Sequence, residues 1–318
     1  MKKALKLTSI FVSIGLLGLA FLAVLNIQNI ADWFALKNYQ PTSEIANLAT
    51  ESGMNDYGRR LFYVYKPALL DKAEFGKSCQ VDEITIVLGC YISRKNIYLF
   101  DVKEPKLNGV EQVTSAHEML HAAYDRLSPK DKDYVDSLLQ DAYSRVTDER
   151  IIKNVESYRS RDPSVISNEL HSILGTEVRT LPKELEEYYK RYFTNRQSVV
   201  SLAEAYASEF QTLIDKVSEY DDKLSQLNGQ ISRLEADLEI QSKYLESEKN
   251  RINNLQAEPS QYNSEVSAFN KKVNAYNSQI ETVKNLINQY NTMVAERNAI
   301  AAQEVQLMQA IDTRITEL

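Results

Sequence analysis

The sequence predicts an α+β fold in two parts: a small antiparallel sheet beside a helical core, followed by a long antiparallel coiled-coil hairpin. Two segments rich in β-branched and aromatic residues, 84–91 and 96–102, are joined by a short turn and predict the sheet as a hairpin. Apolar residues that recur every three or four positions between residues 112 and 193 predict the helices. From about residue 201 this spacing becomes a sustained heptad pattern, which is typical of coiled coils.

The composition excludes some classes of function. The chain has 318 residues, enough for two domains, and its 44 acidic and 37 basic residues give a net charge of -7. These charges are mixed along the chain, with no basic stripe and no zinc-knuckle spacing, so nucleic acid is not expected as a partner. With only 9 glycines and 7 prolines, the chain should form long helices with few turns.

The first 31 residues predict a transmembrane signal-anchor. Residues 7–31 carry no charge, and a helix of that length would cover the roughly 30 Å hydrocarbon core of a bilayer. Lysines precede this segment and Asp32 follows it, which predicts a cytoplasmic amino terminus and an extracytoplasmic body. We therefore expect a single-pass protein of the cell membrane that contacts the lipid bilayer through this helix. The alternative is a cleaved signal peptide, for which the apolar segment is unusually long.

A connector with short helical pieces is predicted for residues 32–57, and a domain that carries the chemistry for residues 58–198. Within that domain, residues 59–64 are apolar and aromatic enough for a strand or a buried helical turn. Cys79 and Cys90 are the only cysteines. Outside the cytoplasm such a pair is most simply a disulfide, whereas in the cytosol both residues would be buried free thiols.

The helical core is predicted to begin near Gln112 or Thr114 with an amphipathic helix that packs against the sheet. Ser128 and Pro129 end this helix and open the next one, which runs to about Val146. Shorter helices follow at residues 149–159, 165–174 and 183–193. Gly175 stands where a carboxyl-terminal cap would end the second of these.

The remaining residues, 199–318, predict two helical arms of similar length with the turn near residues 257–262. One proline-containing turn between two arms of the same pattern indicates an antiparallel hairpin. Such a hairpin serves most simply as a scaffold or an oligomerisation arm. The sequence leaves open whether it associates with itself or with another coiled-coil protein.

A His-Glu-Met-Leu-His pentapeptide, residues 117–121, lies in the first core helix. Histidines four positions apart on a helix project from one face, so His117 and His121 can bind one metal ion. Glu118 then lies close enough to take a proton from a water molecule that the metal activates. The chain has only three histidines, and two of them belong to this pattern.

A hydrolytic zinc site needs a third protein ligand and an open position for water. That ligand should come from a later helix as Glu, Asp or His, and the candidates in range are Asp162, Glu169, His171 and Glu177. The Asn-Glu-Leu-His-Ser segment at residues 168–172 stands out, because it follows a proline break and its Glu169 lies 48 residues beyond His121.

Residues 117–125, followed by this Asn-Glu-x-x-Ser segment, resemble the gluzincin class of zinc metallopeptidases. The likeness covers about residues 113–177, and it implies that Glu169 is the third zinc ligand. It also implies that Glu118 acts as general base and then passes the proton to the leaving amine. Ile173 departs from the pattern, because some gluzincins carry Asp after the Ser, and this leaves the support of His117 unassigned.

More loosely, the chain from the anchor to about residue 200 is similar to an uncharacterised group of membrane-anchored bacterial HExxH proteins. A tyrosine hydroxyl is expected to stabilise the oxyanion, with Tyr189 preferred over Tyr188 and Tyr192, although packing is the commonest role of each. Asp125 is either an orienter of the ligands or a surface carboxylate.

Two of the candidate third ligands keep alternative roles. His171 is either a transition-state donor or a satisfied core histidine. Glu177 is the reserve third ligand, since it lies two helical turns beyond Glu169 if Gly175 does not break the helix.

Together these features predict a zinc metalloendopeptidase that hydrolyses peptide bonds of extracytoplasmic proteins or peptides. An extended substrate is expected to pair with the strand at residues 96–102. The alternative is a non-catalytic cell-envelope scaffold or regulator that acts through its coiled coil and has a structural or degenerate metal site.

Overall fold

The structure is a computed structural model, and it describes residues 26–79, 86–255 and 258–314. The chain forms two compact units, one of residues 1–207 with 310–318 and the other of residues 208–309. The described residues are mostly helical, with one three-stranded sheet and a long helix pair, which confirms the predicted fold at this level.

The elements of the first unit follow one another closely along the chain. They are α1 (Ile27–Leu36), α2 (Ser43–Glu51), α3 (Asp56–Val64), β1 (Ala68–Leu70), α4 (Lys72–Ser78), β2 (Gly89–Ile92), β3 (Asn96–Phe100), α5 (Val110–Asp125), α6 (Pro129–Tyr143), α7 (Glu149–Arg161), α8 (Ile166–Glu177) and α9 (Lys183–Tyr189). Two long helices complete the chain, α10 (Arg196–Asn253) and α11 (Pro259–Ile311). The boundaries between the units fall within these last two helices.

Residues 43–54, predicted as part of a connector, belong to the core of the first unit. The Thr42 side chain caps α2 by accepting a hydrogen bond from Ile45 N, and Asn55 caps α3 in the same way from Gly58 N. Ile45, Leu48 and Ala49 of α2 are buried in the main apolar cluster. The segment 59–64 is helical, which decides between the two predicted alternatives.

The sheet is mixed rather than purely antiparallel. Its strand order is β1-β3-β2: β2 pairs antiparallel with β3 as predicted, and β1 adds to the other side of β3 in parallel. β1 has only three residues, too few for a recognisable alternation. Side chains of β3 alternate between two apolar clusters, with Ile97 and Leu99 toward α5, and Phe100 toward Phe75 and the Cys79–Cys90 disulfide. The predicted disulfide is thus confirmed.

The predicted break between the first two core helices is present. Ser128 caps α6 by accepting a hydrogen bond from Asp131 N, and Pro129 occupies the first turn, where its missing N–H has no cost. The predicted end of α8 at Gly175 is wrong, because this helix continues through Gly175 to Glu177.

In the second unit, the two long helices run antiparallel. Three polar contacts between them show this direction: Asp221, Gln241 and Arg251 of α10 contact Arg297, Gln279 and Glu265 of α11, respectively. Later residues of α10 thus contact earlier residues of α11. Apolar side chains are buried along the same seam, among them Ile231, Ile252 and Val283. α10 ends at Asn253 and α11 begins at Pro259, so the second helix starts within the segment predicted as the turn, residues 257–262.

The predicted signal-anchor comprises residues 7–31, of which residues 7–25 lie outside the described residues. Its last residues belong to α1, a ten-residue helix that buries Asp32. Across the described ranges (26–79, 86–255 and 258–314), no helix combines the length and the apolar character needed to cross a membrane. This finding contradicts the predicted single-pass localisation in the cell membrane.

A buried ion pair fixes α1 to the end of α5. The Asp32 carboxylate is 4% exposed and accepts two hydrogen bonds of 2.9 Å from the Arg126 guanidinium. Arg126 also donates to the Tyr65 hydroxyl at 2.9 Å and lies over the Tyr65 ring. Because both charges are withdrawn from water, the loss of Asp32 would leave the Arg126 charge uncompensated, whereas Asp32 also has Arg60 at 3.8 Å.

Replacing Asp32 by alanine should lower the free energy of unfolding by about 3–5 kcal/mol, because Arg126 then loses its buried partner. Urea denaturation followed by the fluorescence of Trp33, the only tryptophan and a residue of α1, measures the change. Asp56→Ala is the matched control, since Asp56 pairs with Arg59 at the surface and is 99% exposed. Equal shifts for the two variants would contradict this account.

Candidate metal centre

The centre lies where α5 crosses α8. A Cβ atom added at Gly175 of α8 would lie 2.4 Å from Leu120 Cδ1 of α5 and 2.8 Å from the Tyr189 ring, closer than real contacts allow. Only glycine therefore permits this crossing distance. Around it, both helices bury apolar side chains, including Met119, Leu120, Leu170 and Ile173. The close crossing brings the polar residues of the two helices together.

His117, His121 and Glu169 meet at this crossing. Their ligand atoms all lie within 4.8 Å of one another. The Glu169 carboxylate approaches both imidazoles, with Oε2 3.7 Å from His117 Nε2 and Oε1 3.7 Å from His121 Nε2. Two ligand atoms at tetrahedral angles around zinc, each about 2.0–2.2 Å from the ion, are about 3.3–3.6 Å apart. These separations are therefore close to those of a tetrahedral zinc site.

The Glu169 carboxylate has the properties of a metal ligand. Its side chain is 13% exposed, and its buried Oε2 atom has no hydrogen-bond partner. Burial would raise the pKa of Glu169, but the charges of His121 and His117 outweigh burial, so that this pKa lies below its usual value. A buried, ionised oxygen without a donor is costly unless a cation binds it. The residues present thus fit a zinc ion.

Asn168 orients one of the two histidines. Its Oδ1 atom lies 3.1 Å from His121 Nδ1. An amide oxygen accepts a hydrogen bond, so this contact places a proton on Nδ1 and leaves Nε2, the nitrogen nearer Glu169, as the one that can bind a metal. The sequence predicts no role for Asn168, although this residue directly precedes Glu169.

Glu118 lies against the first residue of β2. Glu118 is only 5% exposed. A Cβ atom added at Gly89 would lie 2.8 Å from Glu118 Oε1 and 2.5 Å from Thr114 Cγ2. Glycine at this position is therefore required by the close approach of the strand to α5. The sequence shows Gly89, but nothing in it reveals this contact.

β2 is an edge strand of the sheet, and its first residue lies beside Glu118. Phe100 N donates to Leu88 O at 2.8 Å, so Leu88 and then Cys90 are the positions whose main-chain groups point toward β3. The N–H and C=O groups of Gly89 and Tyr91 consequently point away from β3. Within the described ranges, β2 has β3 as its only strand neighbour.

The other three candidate third ligands lie elsewhere. Asp162 is exposed and caps a short 3-10 helix through Ser164. His171 is completely buried, and burial lowers its pKa to about 3, with a further lowering by the charge of His121. Glu177 pairs with Arg150. At about 1.5 Å per residue, Glu177 is about 12 Å along the helix axis from Glu169, too far to share its ion.

The predicted tyrosines form a packed layer behind the centre. The Tyr189 hydroxyl donates to the main-chain oxygen of His171 at 2.7 Å, and the residue is completely buried. The Tyr188 hydroxyl contacts His171 Nε2 at 2.8 Å and the Tyr192 hydroxyl at 3.1 Å. The structure therefore gives Tyr189 a packing role in place of the predicted oxyanion role. His171 is a core histidine bonded to Tyr188.

Asp125 is not at the metal ligands either. It accepts hydrogen bonds of 3.1 Å from the Tyr91 hydroxyl and from Ser93 Oγ. It therefore ties the end of α5 to the β2–β3 hairpin.

Comparison with known proteins gives no independent assignment. No protein-family model, curated protein or solved structure matches this chain. The resemblance of residues 113–177 to gluzincins therefore stays a prediction. What the site can do follows from its own residues and their geometry.

Glu169→Gln should weaken zinc binding by more than about 100-fold, because an amide oxygen replaces the ionised ligand. Competition with a chromogenic chelator measures the affinity. Glu177→Gln is the matched control, since it makes the same change on the same helix and should leave the affinity unaltered. If only the Glu177 variant loses zinc, then Glu177, and not Glu169, is the third ligand.

Asn168→Ala should lower the zinc affinity by about 10- to 100-fold, because His121 loses the hydrogen bond that orients it. Asn168→Asp keeps an acceptor at the same place and should retain the affinity. The same chelator titration compares the two. If alanine and aspartate weaken binding equally, Asn168 does not orient His121.

Proposed function

We propose that this protein is a zinc-dependent peptidase that hydrolyses peptide bonds in proteins or peptides. The observation that carries the proposal is the meeting of His117, His121 and Glu169 on α5 and α8, with the buried Glu118 on the same α5 helix. Structural zinc sites usually have four protein ligands, whereas hydrolytic sites have three and an open position. Three ligands together with a neighbouring carboxylate favour the hydrolytic kind.

A zinc ion bound there would lower the pKa of a water molecule toward neutrality and polarise the carbonyl of the scissile bond. Glu118 takes the proton that the water loses when its oxygen attacks the carbonyl carbon. Glu118 then donates this proton to the amine nitrogen as the C–N bond breaks, and so returns to its carboxylate form. One residue thus serves as base and as acid in a single turnover.

The position of Glu118 suits both steps. It directly follows His117 in the sequence, so its side chain projects from α5 next to His117. Its contact with Gly89 places it under the edge of β2. A carboxylate in such a confined place keeps one orientation, which general acid–base catalysis requires.

The β2 edge supplies a binding surface for an extended chain. The main-chain groups of Gly89 and Tyr91 point away from β3; Gly89 is buried and Tyr91 is half-buried, so an extended peptide would pair with β2 at Tyr91. Main-chain pairing selects little for side chains, which suits a peptidase with broad substrates. The strand predicted for this role, β3, is central in the sheet and has no free edge.

The alternative function is a scaffold that acts through the long helix pair, α10 and α11. A scaffold would need the metal for structure only, and it would give Glu118 no chemical task. Zinc binding without hydrolysis would favour it.

Glu118→Gln should lower the rate of peptide hydrolysis by about 10²- to 10⁴-fold and leave zinc affinity unchanged, because the amide cannot accept the proton. Unfolded casein and a peptide library serve as substrates, with products identified by mass spectrometry. Glu149→Gln, which alters an exposed glutamate paired with Lys153, is the matched control and should keep full activity. If the wild-type protein binds zinc but, like the Glu118→Gln variant, cleaves no substrate, the proposal is wrong.

A further inference from the structure

α1 turns its polar side toward the protein. Asp32 is buried and binds the Arg126 guanidinium, and Gln28 Nε2 donates to the same carboxylate at 3.0 Å. The Arg60 guanidinium of α3 donates to the main-chain oxygen of Asn29 at 3.4 Å. Among the described residues, none of α1 is part of the main apolar cluster. Polar contacts therefore attach this helix to the rest of the first unit.

The opposite side of α1 exposes its large apolar side chains. At about 100° per residue, these side chains lie within about 120° of the helix circumference, and Asp32 is on the other side. Two of them, Trp33 and Phe34, pack together with their ring centroids 4.9 Å apart. We call the four residues the α1 apolar face, and their exposed fractions are 67% for Ile27, 42% for Ile30, 55% for Trp33 and 65% for Phe34.

The polarity of α1 is the reverse of that of an ordinary surface helix. A helix in contact with water normally buries its apolar stripe and exposes its polar side. A group of neighbouring exposed apolar residues marks a surface that binds an apolar partner. A second copy of the chain fits this face poorly, because a stable protein interface takes roughly 20–30 residues from each side. The ten-residue α1 offers far fewer.

Other features of this segment suit a lipid surface. Tryptophan is enriched where a bilayer meets water. Lys37 directly follows α1, and its Nζ atom is 5.3 Å from the centroid of the Trp33 ring. An ammonium group thus lies at the rim of the apolar face, where it can reach lipid headgroups. Residues 7–25, which lead into α1, carry no charge.

We propose that the α1 apolar face binds the surface of a phospholipid bilayer, with its four side chains inserted between the headgroups and the acyl chains. A helix of ten residues is about 15 Å long, about half the thickness of the hydrocarbon core, so α1 lies along the surface and does not cross it. The Asp32–Arg126 ion pair then holds the end of α5 on the side of α1 away from the lipid. This binding depends neither on zinc nor on peptide hydrolysis.

Trp33 is the only tryptophan of the chain, so its fluorescence reports on this face alone. The full chain is mixed with phosphatidylcholine vesicles whose acyl chains are brominated, and co-flotation measures how much protein they bind. For the wild-type protein, the Trp33 emission should shift to shorter wavelength and be quenched by bromine. Ile27→Glu together with Ile30→Glu should raise the vesicle concentration that gives half of the full quenching by at least about ten-fold, because two apolar side chains no longer leave water.

The matched control combines Ile240→Glu with Ile214→Glu, which makes the same two changes at residues of similar exposure, 67% and 45%. This variant should be quenched as the wild type is, and circular dichroism should show unchanged helix content in both double variants. If the wild-type protein floats with the vesicles but Trp33 is not quenched, another part of the chain binds lipid and the proposal is wrong. It is also wrong if no protein floats, or if sedimentation without lipid shows a dimer that Ile27→Glu with Ile30→Glu dissociates, because the face then binds a second copy.

Discussion

The distance between α5 and α8 is the constraint on which the candidate centre depends. A histidine pair on one helix can supply only two ligands of a tetrahedron, so the third must come from another backbone that approaches within a few ångströms. Gly175 allows that approach, because no Cβ fits between Leu120 and the Tyr189 ring. The packing that stabilises the core and the geometry that collects His117, His121 and Glu169 are thus one property of this crossing.

The crossing also sets the electrostatics of the centre. Glu169 is buried but ionised, because His121 and His117 beside it offset the cost of burying its charge. His171, only two residues away, faces the opposite demand: it is completely buried, and its low pKa of about 3 keeps it neutral at pH 7. A neutral His171 bonded to Tyr188 adds no positive charge that would compete with a cation for Glu169. α8 therefore carries both a candidate metal ligand, Glu169, and a packing residue, His171.

The parts of this site that were predictable are local in sequence. Helical spacing alone places His117 and His121 on one face, and the proline break before residue 166 marks the helix that supplies Glu169. The rest depends on contacts between distant segments. Gly175 reads as a helix end until its neighbours on α5 are known. The tyrosines look equally suitable until burial assigns Tyr189 to the core.

The sheet shows how a non-local pairing changes a functional conclusion. A hairpin alone leaves both β2 and β3 with a free edge, and only the parallel addition of the three-residue β1 makes β3 central. The edge beside the centre is therefore β2. With hydrogen bonds on one side only, such a strand needs other restraints. The disulfide of Cys90 holds one face of β2, and the Tyr91–Asp125 hydrogen bond holds the other. These two contacts keep Gly89 in place over Glu118, so the strand at this edge of the sheet also fixes the position of that carboxylate.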